Sequence, residues 1–388
     1  VYFYSFLQIG IFVLSLLTQW YDFLVYASTA LAVLMLLDKM GKGIVLRETI
    51  ALYNAFIYLF VPLMGYIFYY KNNVLSVLYV RVMPVTKEVY FGLALPAISG
   101  FMLLLCWPIK GELADQGQAL QNRIAEAKSQ LTGNQKVGIA LVLAGVIISN
   151  LLNIVPQSLR YVFNLFYMTS FAGILYIYFS KEFPFRKLIM TFFVIFIVVG
   201  SLNTGMFTTL VYMGMTIFSF FYLQRRTRLW KKVSLFVVVA LGLIILQSVK
   251  PEYRKTVIKD NEENKGAGFL KLAEKRLSNL DGLFTPNAFW PIYYRTNQGY
   301  QVAQVQKYMP TVKPFDNGKF LFRVIASAFV PRFLWPDKPT LGGKDNMLYY
   351  AGKRIRGYVV DVGPLGQGYG SFGVTGAIIY MLLVGAFI

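Results

Sequence analysis

The chain contains no histidine and a single cysteine among its 388 residues. Without imidazole it lacks the commonest general base and the commonest metal ligand. Cys106 stands alone inside an apolar run, which excludes a disulfide within the chain and a cysteine-ligated metal. Charge is scarce as well. Only 14% of residues are charged, against about 25% in an ordinary soluble chain. Within the apolar runs charge is almost absent: Asp22, Asp38 and Glu48 stand at their edges, and the cores hold only the amides Asn54, Asn150, Asn153, Asn164 and Asn203. A central charge costs about 2.5–3.5 kcal/mol on insertion, and ion-coupled carriers accept that cost because their pathway needs ionisable groups. Its avoidance argues against proton- or sodium-coupled transport. The five amides read as helix–helix hydrogen bonds.

What the chain does have is apolar surface. It is 56% hydrophobic and 17% aromatic. Runs close to the ~20 residues needed to cross a bilayer fall at Phe3–Trp20, Phe23–Leu37, Thr49–Tyr70, Val89–Pro108, Val137–Val155, Tyr161–Phe179, Leu188–Asn203, Met206–Leu223, Val233–Val249 and Leu365–Ile388. The expected fold is an all-α polytopic membrane protein with about ten or more transmembrane helices. Residues 1–249 form the bundle, with a polar, helix-forming cytoplasmic connector at 109–136. Residues 250–364 form one large loop, and 365–388 the final span. The stretch Val74–Lys87 is too short to span and reads as interfacial or re-entrant. Because Val1 and Ile388 both lie within apolar runs, both ends are expected to be trimmed.

Orientation follows from the short connections. One alternate set carries fifteen Lys and Arg, among them Lys39, Arg47, Lys136, Arg186 and Lys232; the other carries four, Lys71, Arg81, Lys87 and Arg160. Basic short loops face the cytoplasm, so residues 250–364 fall outside, where a long loop is translocated regardless of its own charge. The net charge of +20 is explained by those loops and one basic outer segment. No basic soluble face is present to hold nucleic acid, and the lipid bilayer is the expected surroundings.

The outer segment concentrates the polar chemistry. From Lys250 to Gly363 it carries 19 of the 38 basic residues and 10 of the 18 acidic ones. Apolar residues at helical spacing over Gly268–Leu283 predict an amphipathic helix lying on the membrane or capping the bundle. Phe320–Leu334, ended by Pro331 and Pro336, predicts a buried or half-inserted helix. Arg276, Arg295, Arg323, Arg332, Lys338, Lys344, Arg354 and Arg356 recur there among Pro, Gly and aromatic residues. Arginine offers a planar fork to phosphate and lysine a mobile point charge. Several together would hold a pyrophosphate and stabilise its departure; the equal alternative is simple contact with anionic head groups.

Two patterns bear on that choice. Val330-Pro331-Arg332-Phe333-Leu334-Trp335-Pro336-Asp337-Lys338-Pro339 is followed by Gly363-Pro364-Leu365-Gly366-Gln367-Gly368-Tyr369-Gly370-Ser371-Phe372-Gly373-Val374-Thr375-Gly376. Together they resemble the bacterial O-antigen polymerase (oligosaccharide repeat-unit polymerase) family over roughly the last third of the chain. Gln367 departs from the family, which often has an acid there. The resemblance implies a metal-independent, cofactor-free glycosyltransferase at the outer face of the bacterial cytoplasmic membrane. Its substrates would be undecaprenyl-pyrophosphate-linked oligosaccharides, with a chain-length regulator as a candidate partner. By position in the motif, Arg332 and Lys338 are the candidates for pyrophosphate contact. Asp337 is either a base on the acceptor hydroxyl or a turn cap. Arg276, Arg295, Arg323, Trp335, Lys344, Arg354 and Arg356 are candidate substrate contacts, and Tyr369 faces either sugar or core. Gly366, Gly370, Gly373 and Gly376 read as close-packing residues of a membrane helix. Two further readings stay open, an exporter or flippase of the same lipid-linked substrate and a ligase-like transferase. Ligases of that kind use an outer-loop His, which this chain lacks.

Overall fold

The computed structural model describes residues 2–40, 45–69, 82–108, 122, 125–126, 129–151, 154–156, 159–180, 182–204, 228–255, 265–278, 290, 293–330, 334–336, 343–356 and 360–388. Among these, every regular element is helical: α1 (Tyr2–Leu17), α2 (Tyr21–Lys39), α3 (Leu46–Phe68), α4 (Lys87–Leu105), α5 (Gln135–Leu151), α6 (Arg160–Phe179), α7 (Arg186–Thr204), α8 (Leu229–Tyr253), α9 (Lys265–Leu277), α10 (Gln298–Tyr308), α11 (Lys319–Phe329), α12 (Gly343–Ala351) and α13 (Gly363–Phe387). Six of them, α2, α3, α4, α6, α8 and α13, are long and apolar enough to cross a membrane, as in a multi-pass membrane protein. Helices coincide with nine of the ten apolar runs. The tenth, Met206–Leu223, lies outside the described residues, as do residues 70–81 and most of the connector.

Polar contacts show which helix ends lie together. Lys232 Nζ, at the start of α8, donates to the Leu37 carbonyl at 2.9 Å, and the Arg47 guanidinium reaches the Trp107 carbonyl at 3.5 Å. These contacts gather the end of α2, the beginning of α3, the end of α4 and the beginning of α8 at one end of the bundle, here the basic end. At the opposite end Lys87, opening α4, is paired at 2.6 Å with Asp22, opening α2. The last helix runs parallel to α4, since Gly385 lies against Phe101 and Gly100 against Leu382. Val374 therefore lies toward the end opposite the basic one. There α10–α12 pack onto α3, α4 and α13 and share one core with them, through Tyr300, Val302, Val305, Met309, Met347 and Tyr350.

Two of these membrane-type helices are interrupted, and each break exposes a carbonyl. In α3 a five-residue π-turn, Phe56–Phe60, precedes Pro62, which has no N–H to return to the preceding turn. The Tyr58 carbonyl instead accepts from the Tyr90 hydroxyl on α4 at 2.7 Å, with Tyr90 fully buried. In α13 the backbone leaves the helix at Gly373, where φ is +72°. Just before that break, the Ser371 carbonyl accepts from the Asn317 N–H at 2.9 Å. An unbonded carbonyl in a hydrocarbon medium would cost several kcal/mol, so a break persists only where a neighbour supplies the donor.

Helices α5 and α6 pack through small residues. Gly138 and Gly145 of α5 lie against Gly173 and Ser170 of α6, allowing the backbones to approach closely. Two of the five amides do not serve as the sequence suggests: Asn54 and Asn150 donate back to Ile50 and Val146 in their own helices. A short amide reaches the carbonyl four residues back without needing a neighbour. Cross-helix polar contacts come instead from Gln8 onto the Met102 carbonyl, the Ser15–Ser99 pair, Tyr90 and Lys232. Two helix limits differ from expectation. α9 covers Lys265–Leu277, with 279–289 outside the described residues. α11 stops at Phe329 because Val330 precedes a proline and is extended.

Replacing Tyr90 with Phe removes the donor to the Tyr58 carbonyl while keeping the ring. A loss of about 1–3 kcal/mol is expected, read as a lower unfolding temperature of the purified protein in detergent. An unchanged temperature would mean that the α3 break does not depend on this bond.

Candidate functional site

At the end opposite the basic one, three polar groupings surround the segment 290–363. The first fastens it to the bundle. The Asp361 carboxylate accepts both contacts from the Asn346 amide, at 2.9 and 3.1 Å, while Gln298 Nε2 donates to the Asp361 carbonyl at 2.6 Å. Gly363 follows with φ +70°, and its α-carbon faces the Tyr58 hydroxyl so closely that a β-carbon has no room. One short stretch thus ties α10, α12 and α13 to α3. Nearby, Asn297 caps α10 by accepting from the Tyr300 N–H at 2.9 Å, and Gln306 Nε2 donates to the Val89 carbonyl of α4 at 2.9 Å.

The second grouping lies beside the α13 break. Asp316 caps α11, accepting from the N–H groups of Gly318 and Phe320 at 2.9 Å each and from the Tyr349 hydroxyl at 3.0 Å. Lys313 Nζ sits 2.9 Å from the centre of the Tyr349 ring and donates to the Tyr349 carbonyl at 3.2 Å. Phe320 stacks on Tyr349 at 3.9 Å. The Tyr349 hydroxyl is pushed up to about 12, first by burial and then by its bond to the Asp316 carboxylate. It stays a protonated donor at physiological pH. Burial lowers the proton affinity of Lys313, and Asp316 opposes that shift.

The third grouping is cationic and aromatic. Tyr69, at the end of α3, packs against Trp290 at 5.0 Å and Tyr293 at 4.5 Å, all three buried. Gly65 of α3 makes room for the Tyr293 ring. Next to this cluster stands Arg295, whose proton affinity is lowered by burial and then by Arg254; Lys250 is within electrostatic reach of both arginines. Arginine stays charged at any physiological pH. The lowered affinity reflects burial first and repulsion from Arg254 second, and a bound anion would offset both.

The remaining sequence candidates are scattered around these groupings. Arg276 on α9 is paired with Glu252 at the end of α8 at 3.2 Å, and α9 packs its Phe269, Leu272 and Ala273 on Val249 and Tyr253. Arg323 lies over the Trp335 ring at 5.6 Å, bringing two candidates together. Lys344, Arg354 and Arg356 are exposed. Tyr369 is buried, edge-on to Phe315, and donates to the Met309 carbonyl at 3.2 Å, so its hydroxyl is spent on the backbone. Arg332, Asp337 and Lys338 lie outside the described residues. The sequence reading did not single out Lys250, Arg254, Asp316, Asn346 or Asp361. Lys250 and Arg254 were visible as two cations one helical turn apart at the close of an apolar run. Asp316 and Asp361 become informative only through partners 33 and 15 residues away. Among the described residues no three carboxylate or thiol groups come together as metal ligands.

Comparison of the chain with protein-family models, with curated proteins and with solved structures finds no match.

Replacing Asp361 with Ala should orphan the buried Asn346 amide and loosen α12 from α13. The expected loss is about 1–3 kcal/mol, with faster proteolysis between residues 343 and 363. Arg276→Gln, which breaks a half-exposed pair, should cost less than about 1 kcal/mol. Equal losses for the two variants would contradict the ranking.

Proposed function

We propose that the chain is a membrane glycosyltransferase that polymerises undecaprenyl-pyrophosphate-linked repeat units at the outer face of the bacterial cytoplasmic membrane. In this reading it spans the membrane about ten times, and residues 250–364 form an extracytoplasmic cap. The reading rests on the resemblance of the last third to repeat-unit polymerases and on the chemistry of the cap. The observation that carries it is the gathering of Lys250, Arg254 and Arg295 beside the Tyr69–Trp290–Tyr293 cluster, at the end of the bundle opposite the basic short loops. Neighbouring like charges favour an anion between them, and exposed aromatic edges such as that of Tyr294 suit the faces of a sugar.

The chemistry needs little more. A hydroxyl at the non-reducing end of the incoming repeat unit attacks the anomeric carbon of the growing glycan. The bond from that carbon to the pyrophosphate oxygen breaks, and the electron pair leaves with the lipid pyrophosphate. Cations stabilise this leaving group, so the departure needs no protein acid. The hydroxyl proton passes to a carboxylate or to water, with Asp337 as the motif's candidate acceptor. Arg332 and Lys338 would share the phosphates with the Arg295 cluster.

The test is chain growth in vesicles supplied with lipid-linked repeat units. A charge-assisted hydrogen bond is worth about 1.5–3 kcal/mol. Arg295→Gln and Arg254→Gln should therefore each slow growth by about tenfold to a hundredfold, and Arg332→Gln with Lys338→Gln should do the same. Normal glycan length in all of these variants would overturn the assignment. Translocation of the substrate without any chain growth would favour the exporter reading instead.

A further inference from the structure

We infer that α11 is an in-plane membrane helix, lying on the bilayer leaflet at the cap end with one face in its acyl region. The inference goes beyond the proposed reaction and does not rest on it. The helix has three faces. Phe320, Leu321, Val324 and Ser327 turn toward the protein, with Leu321 and Ser327 buried and Phe320 stacked on Tyr349. Phe322, Ile325 and Phe329 form a second stripe and are 62, 45 and 83% exposed. Lys319 and Arg323, also exposed, border that stripe on its other side. Leu334, just beyond the helix, is 68% exposed. Large aromatic side chains so exposed on one stripe are a liability in water.

The height of the helix along the bundle says what covers the stripe. Its lead-in is fixed to α13, through the Asn317 N–H on the Ser371 carbonyl and Gly318 against the Phe372 ring. From the Phe101–Gly385 contact, equal steps back along α4 and the part of α13 after its break bring Val374 level with Tyr90, one turn inside Lys87, and Ser371 stands just across that break. Lys87 carries the exposed ion pair with Asp22, and such a pair belongs at the membrane–water boundary, not within hydrocarbon. The start of α11, bonded beside that break, is therefore held within about one helical turn of that boundary. The flanking groups fit the same level. Lys and Arg snorkel toward head groups, and Trp335, under the Arg323 guanidinium, is an interfacial residue type. An amphipathic helix placed there buries its apolar face about 5–10 Å into the boundary of head groups and acyl chains.

The test uses the single cysteine. In a Cys106→Ala background, nitroxides on Phe322→Cys, Ile325→Cys and Phe329→Cys are compared in proteoliposomes with those on Lys319→Cys and Arg323→Cys. The first three should collide with oxygen several-fold more than with a water-soluble nickel chelate, and the last two should show the reverse. Free access of the chelate to the first three would overturn the inference. Shielding of the three from both reagents would overturn it too, because a protein surface would then cover the stripe. The unmodified protein gives an independent measurement: a diazirine borne on a phospholipid acyl chain should crosslink to residues 319–330, and no crosslink there sinks the idea. Glycan chain length is read separately, so either failure is distinguishable from failure of the polymerase reading.

Discussion

The two breaks in these apolar helices answer one constraint: a carbonyl facing hydrocarbon must find a donor. Pro62 and Gly373 each break a long apolar helix, and each break is closed by a group from elsewhere in the chain. The Tyr90 hydroxyl closes the first and the Asn317 N–H the second. The second closure decides where the cap sits. Residues 315–318 can complete α13 only by lying against it, and α11 must then begin at that height. The first closure packs α3 onto α4 exactly where Gly299 of α10 presses on Pro62 and Tyr90, with no space for a side chain. The irregular backbone is thus the means by which a polar segment is seated on an apolar bundle.

Much of the bundle was legible in the sequence because the signal there is long and local. A run of some twenty apolar residues has one economical solution in a membrane, and the helices follow those runs closely, as with Val89–Pro108 and α4. The sequence reading did not single out Gly138, Gly145 and Gly173, which sit where two helices touch. The breaks were less legible. Proline at 62 marks one, but the Tyr90 donor lies on another helix. Gly373 was read as one of several packing glycines, and nothing local distinguishes it from Gly370, which faces Tyr350. The five core asparagines were read as bridges by residue type alone, and Asn54 and Asn150 turn back on their own helices.

The candidate site shows the same division. Composition placed most cations of interest between 250 and 363, but could not say which of them meet. Arg276 is occupied with Glu252, Arg323 with Trp335, and Tyr369 with the backbone. Arg295 meets Arg254 and Lys250, which are 41 and 45 residues earlier in the chain. Such a meeting depends on how the end of α8 is presented to the start of the cap, and no spacing rule reports it. The acids behave likewise. Asp316 and Asp361 serve as acceptors that hold backbone and amides in place.

The Asp361 junction also bears on how the protein is made. Gln298 and Asn346 leave the ribosome well before the residues that satisfy them, and the Ser371 carbonyl that receives Asn317 comes later still. Synthesis runs from the N-terminus at roughly 5–20 residues per second, so the cap spends an interval with its fastening groups bonded to water. Its docking is consequently a late event of biogenesis, completed only when α13 enters the bilayer.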